Sequence, residues 1–167
     1  MAVRRSSSAL RGRVVRGESG RVRPAPAPPP EPVADPTRPR AVIDHALQRR
    51  AAIARLRTSL SAEHLDADPY LLRAARHHGE AADTDCPACR DPGLVTLRYV
   101  FGDELGPYSG RIRGADDLPS MARDFGAFTV CVVEVCQRCH WNFLVRQYVL
   151  GDGVPRPALR TPRDFLR

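Results

Sequence analysis

The sequence predicts an α+β fold, a short helical front that leads into three antiparallel strands. Three observations carry this reading. Two C-x-x-C pairs, Cys86-Pro87-Ala88-Cys89 and Cys136-Gln137-Arg138-Cys139, are separated by the 46 residues from Arg90 to Val135. Three stretches around them, 95–101, 127–135 and 141–149, have strand character: the first and last alternate apolar and polar, and the middle one is a nearly continuous β-branched run. Two stretches between residues 40 and 79 instead return their apolar residues near the helical period.

In chain order, residues 1–40 hold Ser6-Ser7-Ser8, scattered arginines and the spacer Pro24-Ala25-Pro26-Ala27-Pro28-Pro29-Pro30. With almost nothing large to bury, this segment is expected to be a disordered Arg/Pro-rich arm. Residues 41–80 form the helical segment. Its first helix, from Arg40 to about Leu60, would bury Ile43, Ala46 or Leu47, Ile53, Leu56 and Leu60, and turn Gln48, Arg49, Arg50, Arg55 and Arg57 to solvent. Its second opens at Asp68-Pro69, an N-cap followed by a first-turn proline, and stops at Gly79. His77 and His78 end this helix and face different sides of it, so they suit its negative C-terminus better than a shared metal.

Residues 81–151 supply the rest. The first cysteine pair precedes a strand with Val95, Leu97, Tyr99 and Phe101 on one face. A loop through Gly102 and Leu105-Gly106-Pro107-Tyr108-Ser109-Gly110 follows, then a brief helix over 117–125 between Asp117 and Gly126. The strand from Ala127 to Val135 runs into Cys136, and Trp141, Phe143, Val145 and Val149 mark the last strand. Knuckle, strand, loop and helix, strand, knuckle, strand is the order of a three-stranded zinc ribbon. Residues 152–167, rich in Pro and Arg, are expected to form an irregular tail.

A C-x-x-C turn lets two thiolates reach one Zn²⁺, and two such turns complete a closed tetrahedral shell, so Cys86, Cys89, Cys136 and Cys139 are the expected ligands of a structural zinc ion. Cys131, in mid-strand beside Thr129 and Val133, reads as a packed thiol. His140 is the alternative ligand beside Cys139. Four thiolates leave no open position for water, and the chain has no nucleophile elbow, glycine-rich phosphate loop or framed carboxylate pair, so an enzyme is not expected.

Charge is unevenly placed. Residues 1–40 carry nine Arg against three acidic residues, whereas residues 59–130 carry seven against twelve. The basic balance therefore belongs mainly to the arm, and the first knuckle lies among Glu80, Asp83, Asp85 and Asp91, which would repel phosphate. Two tight cysteine pairs fit a reducing compartment, and no stretch approaches the roughly 18 apolar residues of a membrane span.

The stretches 41–50 and 68–75, the CPAC knuckle, 99–106 and the CQRCHWN knuckle resemble a family of small uncharacterised proteins from high-GC Gram-positive bacteria, known only as a domain of unknown function with a zinc-ribbon end. The resemblance covers about residues 41–151 and implies a bacterial cytoplasmic protein. It implies no reaction and no ligand.

The resulting expectation is a non-enzymatic protein-docking module on a larger complex, with Arg138, His140, Trp141 and Arg146 around the second knuckle as contacts. Trp141 has a second reading, as packing for the ribbon core. Two alternative functions stay open: nucleic-acid binding through the basic arm, and a redox- or zinc-sensing switch in which oxidation releases the metal.

Overall fold

The computed structural model describes residues 33–58 and 64–158. The elements in order are β1 (Arg40–Asp44), α1 (Ala46–Thr58), α2 (Pro69–His78), β2 (Glu80–Ala81), β3 (Leu94–Phe101), β4 (Arg111–Ile112), α3 (Leu118–Asp124), β5 (Phe128–Cys136) and β6 (Asn142–Leu150). The α+β class stands, but the expected sheet of three strands is too small. All six strands join one antiparallel sheet in the order β1-β6-β5-β3-β2, with β4 also paired to β3. The three strands legible in the sequence form its centre. The first 32 residues of the arm, and most of the tail, lie outside the described residues.

The sheet is covered on both faces. Phe128, Val130, Glu134 and Cys136 share one face of β5, and Thr129, Cys131, Val133 and Val135 share the other. On the first face, α3 packs Leu118, Met121 and Ala122 against Val100, Phe128, Val130 and Leu150. Farther along the same face, Ala52 of α1 joins Cys86, Leu94, Cys136, Trp141 and Phe143. On the opposite face, α2 buries Ala75 against Leu97 and Val135. Coverage on both sides explains why Leu94, Leu97 and Val100 are all buried although they alternate in direction. Phe101, expected on the packed face, is 45% exposed. Cys131 is half-buried, and burial pushes its thiol up.

The first expected helix is corrected twice. Arg40–Asp44 is a strand paired with β6, where Ile43 lies opposite Gln147 and Asp44 opposite Arg146. Its register shifts after Arg40, where Ala41 takes a left-handed φ of 47°. The helix starts at Ala46, whose N–H donates to Asp44 Oδ1 at 2.8 Å. Its inward side is Arg49, Ala52, Ile53 and Leu56, an i, i+3, i+4, i+7 set, while Leu47 is 74% exposed. Ile53 and Leu56 face inward as expected, but Arg49 takes the inward place expected of Leu47 because the first turn meets the sheet through an ion pair with Glu134.

The second helix forms as its caps require. Asp68 Oδ1 accepts from the N–H groups of Tyr70 (2.7 Å) and Leu71 (3.0 Å), and Gly79 N–H closes the last turn on Ala75 O at 3.0 Å. Gly79 is extended, not left-handed (φ −69°); a Cβ there would sit 2.3 Å from Ala75 O and 2.7 Å from Val95 Cγ2. Glycine is needed for close approach between α2 and β3. His77 and His78 lie exposed at the end of α2. The brief helix expected over 117–125 is α3, and Gly126 beyond it takes Gly153 N–H at 2.6 Å.

Candidate metal centre

The two cysteine pairs fold into the same knuckle twice. In the first, Arg90 N–H donates to Cys86 O (2.9 Å) and Cys86 N–H to Asp91 O (2.8 Å). In the second, His140 N–H donates to Cys136 O (3.0 Å) and Cys136 N–H to Trp141 O (2.9 Å). Each turn closes only if the residue after the second cysteine is left-handed, and Arg90 and His140 have φ of 63° and 62°. The second knuckle is the turn between β5 and β6. The first precedes β3, and because Leu94 lies opposite Cys136 across the β3–β5 ladder, strand register brings the knuckles side by side.

The ligand atoms of the four cysteines all lie within 4.8 Å of one another, with Cys86 Sγ 3.5 Å from Cys139 Sγ and Cys89 Sγ 3.7 Å from Cys136 Sγ. A tetrahedron of sulfurs each about 2.3 Å from a central zinc has edges of about 3.8 Å, so the cluster has the right size before any ion is considered. Cys86 and Cys136 are buried, and Cys89 and Cys139 half-buried. Burial pushes the Cys86 thiol up against the opposing N–H groups of Cys89 and Ala88, and burial likewise pushes Cys139 up. At Cys89 burial also raises the thiol, but the Asp91 N–H and the neighbouring sulfurs outweigh it and the net shift is downward. Four crowded thiols, some reluctant to ionise, fit a thiophilic cation that stabilises all four thiolates together. Among the described residues this is the one cluster of metal-ligating groups, and His140 is exposed outside it.

Of the contact residues expected around the second knuckle, Arg138, His140 and Arg146 are exposed and Trp141 is not. Trp141 is fully buried, so its reading as an exposed anchor is corrected. Its ring stacks on Phe143 at 5.8 Å and 9°, and its Nε1–H donates to Glu134 Oε2 at 3.3 Å. The reason is strand alternation: Trp141, Phe143 and Glu134 share the face that α1 covers. Arg138 is exposed and pairs with Asp91 of the other knuckle at 3.2 Å. Arg146 is exposed and pairs with Asp44 of β1 at 3.4 Å.

Sequence reasoning missed the polar bolt beneath the centre. Glu134, 9% exposed, accepts from Arg49 Nε at 2.9 Å as well as from Trp141. The signal was a lone carboxylate between Val133 and Val135. The segment 64–67 also laces over the second knuckle: Ala67 N–H donates to His140 O (3.1 Å), Asn142 N–H donates to His64 O (2.9 Å), and the His64 ring lies 5.1 Å from Phe143.

A family model described as a family of unknown function (DUF5318) matches residues 37–163. Uncharacterised proteins of Mycobacterium tuberculosis and Mycobacterium bovis are each 48% identical over 124 residues, covering 72% of this chain and 88% of their own length. No solved structure matches. Among the described residues, no helix is long and apolar enough to cross a membrane.

Proposed function

The chain belongs to this family of unknown function, DUF5318, and from that premise we propose a non-enzymatic binding module, closed by a structural zinc ion on Cys86, Cys89, Cys136 and Cys139, that docks onto a larger cytoplasmic protein complex. The observation that carries the zinc is the cluster of four sulfurs within 4.8 Å, built by two knuckles with matching backbone hydrogen bonds. When bound, the ion ties the loop before β3 to the β5–β6 turn. The protein's own residues do the rest. Backbone N–H groups point at the sulfurs, and Trp141 and Phe143 exclude water from one side.

A shell of four cysteines has no position for a substrate, which is why the reading is a binding module rather than a hydrolase. Support for docking lies on the edge strand. Val42 and Ile43 of β1 are 51% and 53% exposed and Leu47 is 74% exposed; β1 is the end strand of the sheet among the described residues, and a strand edge with apolar side chains suits a protein partner.

Elemental analysis of purified protein, with X-ray absorption at the metal edge, tests the site. One zinc per chain with four sulfur neighbours near about 2.3 Å is the expected result. Well-folded protein without metal would overturn it. For docking, affinity purification from the native cytoplasm with nuclease present should recover a defined complex that Leu47→Glu abolishes. Equal recovery with that variant moves the contact elsewhere.

A further inference from the structure

The face opposite the cysteines carries a second feature. Between α2 and the β3–β4 edge runs an open groove of about 870 Å³, and none of its lining residues lies in either knuckle. Its walls repeat one device. Arg73 lies over the Tyr70 ring at 5.0 Å on the helix side, and Arg113 over the Tyr108 ring at 5.5 Å on the other. Tyr99 lies between them on β3, stacked against Phe101, and Arg111 flanks the β4 side.

Two properties of this groove need a cause. Residues 59–130 hold twelve acidic residues against seven arginines. Even so, Arg73, Arg111 and Arg113 form no ion pair among the described residues, and Arg113 Nε is sealed from solvent without a hydrogen-bond partner. The one carboxylate in the lining, Asp68, spends an oxygen on capping α2. Secondly, Tyr70 is 75% and Tyr108 46% exposed, although burial of such rings is favourable. A guanidinium held over a ring leaves its terminal N–H groups, though not the sealed Arg113 Nε, for a phosphate, and the exposed rings offer faces for stacking.

We propose that this groove binds single-stranded nucleic acid, with bases stacking on Tyr70, Tyr99 and Tyr108, and backbone phosphates accepting from Arg73, Arg111 and Arg113. An acidic peptide would satisfy the guanidiniums but has nothing to stack. A duplex hides its base faces. The site goes beyond the docking reading and does not depend on the metal.

The test is fluorescence anisotropy of a labelled single-stranded RNA of about 12 nucleotides, titrated with the full chain over a series of salt concentrations. Tyr70→Ala should weaken binding about tenfold. Arg73→Gln with Arg111→Gln should flatten the log–log salt dependence by about 1.4, since each phosphate that a single strand leaves unneutralised lowers the slope by about 0.7. These side chains are exposed, and unchanged thermal melting checks that the variants fold. Arg50→Gln with Arg57→Gln, on exposed positions of α1, should change neither quantity. Three results overturn the proposal: no RNA binding, groove variants that bind like the wild type, or competition by polyglutamate or double-stranded RNA as effective as by the single strand.

Discussion

His140 holds the second knuckle closed with a backbone that side chains disfavour. At φ 62° a β-carbon costs roughly 1 kcal/mol relative to glycine, so His140→Gly should leave stability equal or raise it by up to about 1 kcal/mol, and His140→Val should lower it by about 1–2 kcal/mol. Chemical denaturation of the metal-loaded protein measures both. A loss with glycine as large as with valine would mean that the imidazole itself is needed. Glu134 works by different physics. Its carboxylate satisfies Arg49 and the Trp141 indole at once, so Glu134→Ala strands two donors in a largely buried place and should cost about 2–4 kcal/mol. Arg49→Met with Glu134→Leu should recover much of that, because it removes the unmet partners together. At this scale the sequence was legible wherever chemistry is self-contained. Four cysteines at knuckle spacing announce each other, whereas Glu134 and Arg49, 85 positions apart, are meaningful only once α1 lies on β5. Trp141 was ambiguous for the same reason, since the side of the strand it takes depends on the register of the knuckle before it.

The elements divide along the same line. The second helix could be read because its start and stop signals are local: Asp68 caps it, Pro69 opens it and Gly79 closes it. The strand β1 could not, because its partner β6 is about a hundred residues away and Val42-Ile43 fit a helical period as well as a strand. The same long-range pairing turned an expected three-stranded sheet into one of six. Gly79 joins the two levels. Sequence reading takes it as a helix stop, while the fold adds that α2 and β3 meet there with no room for a methyl group. Gly79→Ala should therefore cost about 1–3 kcal/mol through overpacking, although alanine suits the backbone angle. Hydrogen exchange would read it as faster opening of α2, with the β5–β6 ladder less affected. Uniform loss across the sheet would mean that the helix and sheet open as one unit.

For the whole molecule, the quantity that decides the zinc proposal is how much of the fold an ion on the four cysteines would hold. The cysteine cluster sits in the same apolar cluster as Leu94, Trp141, Phe143 and Ala52 of α1, so on the zinc proposal removing the ion would loosen a core that both long hairpin strands and α1 share. Zinc sites of this kind contribute on the order of 10 kcal/mol, comparable with the entire stability of a small domain. Chelation should therefore do more than fray a loop. Trp141 is the chain's single tryptophan and is fully buried, so its emission should shift to the red as zinc leaves and return when zinc is restored. Acidity and alkalinity separate the two forms further. In the metal-free protein, burial holds the Cys86 and Cys139 thiols above their ordinary value of 9.0. At these two sites the unfolded chain ionises more readily than the folded one, so they make stability fall as pH rises past about 9, and the lowered Cys89 offsets part of that loss. With zinc bound the same sulfurs are already thiolates, so the alkaline loss should shrink to what groups outside the site, such as the raised Cys131 thiol, contribute, and the metal should instead be displaced by protons on acidification. Thermal melting against pH, with and without zinc and followed by Trp141 emission, distinguishes the cases. If both forms melt alike at every pH, the four cysteines hold no metal that matters to the fold, and the knuckles stand on their backbone hydrogen bonds alone.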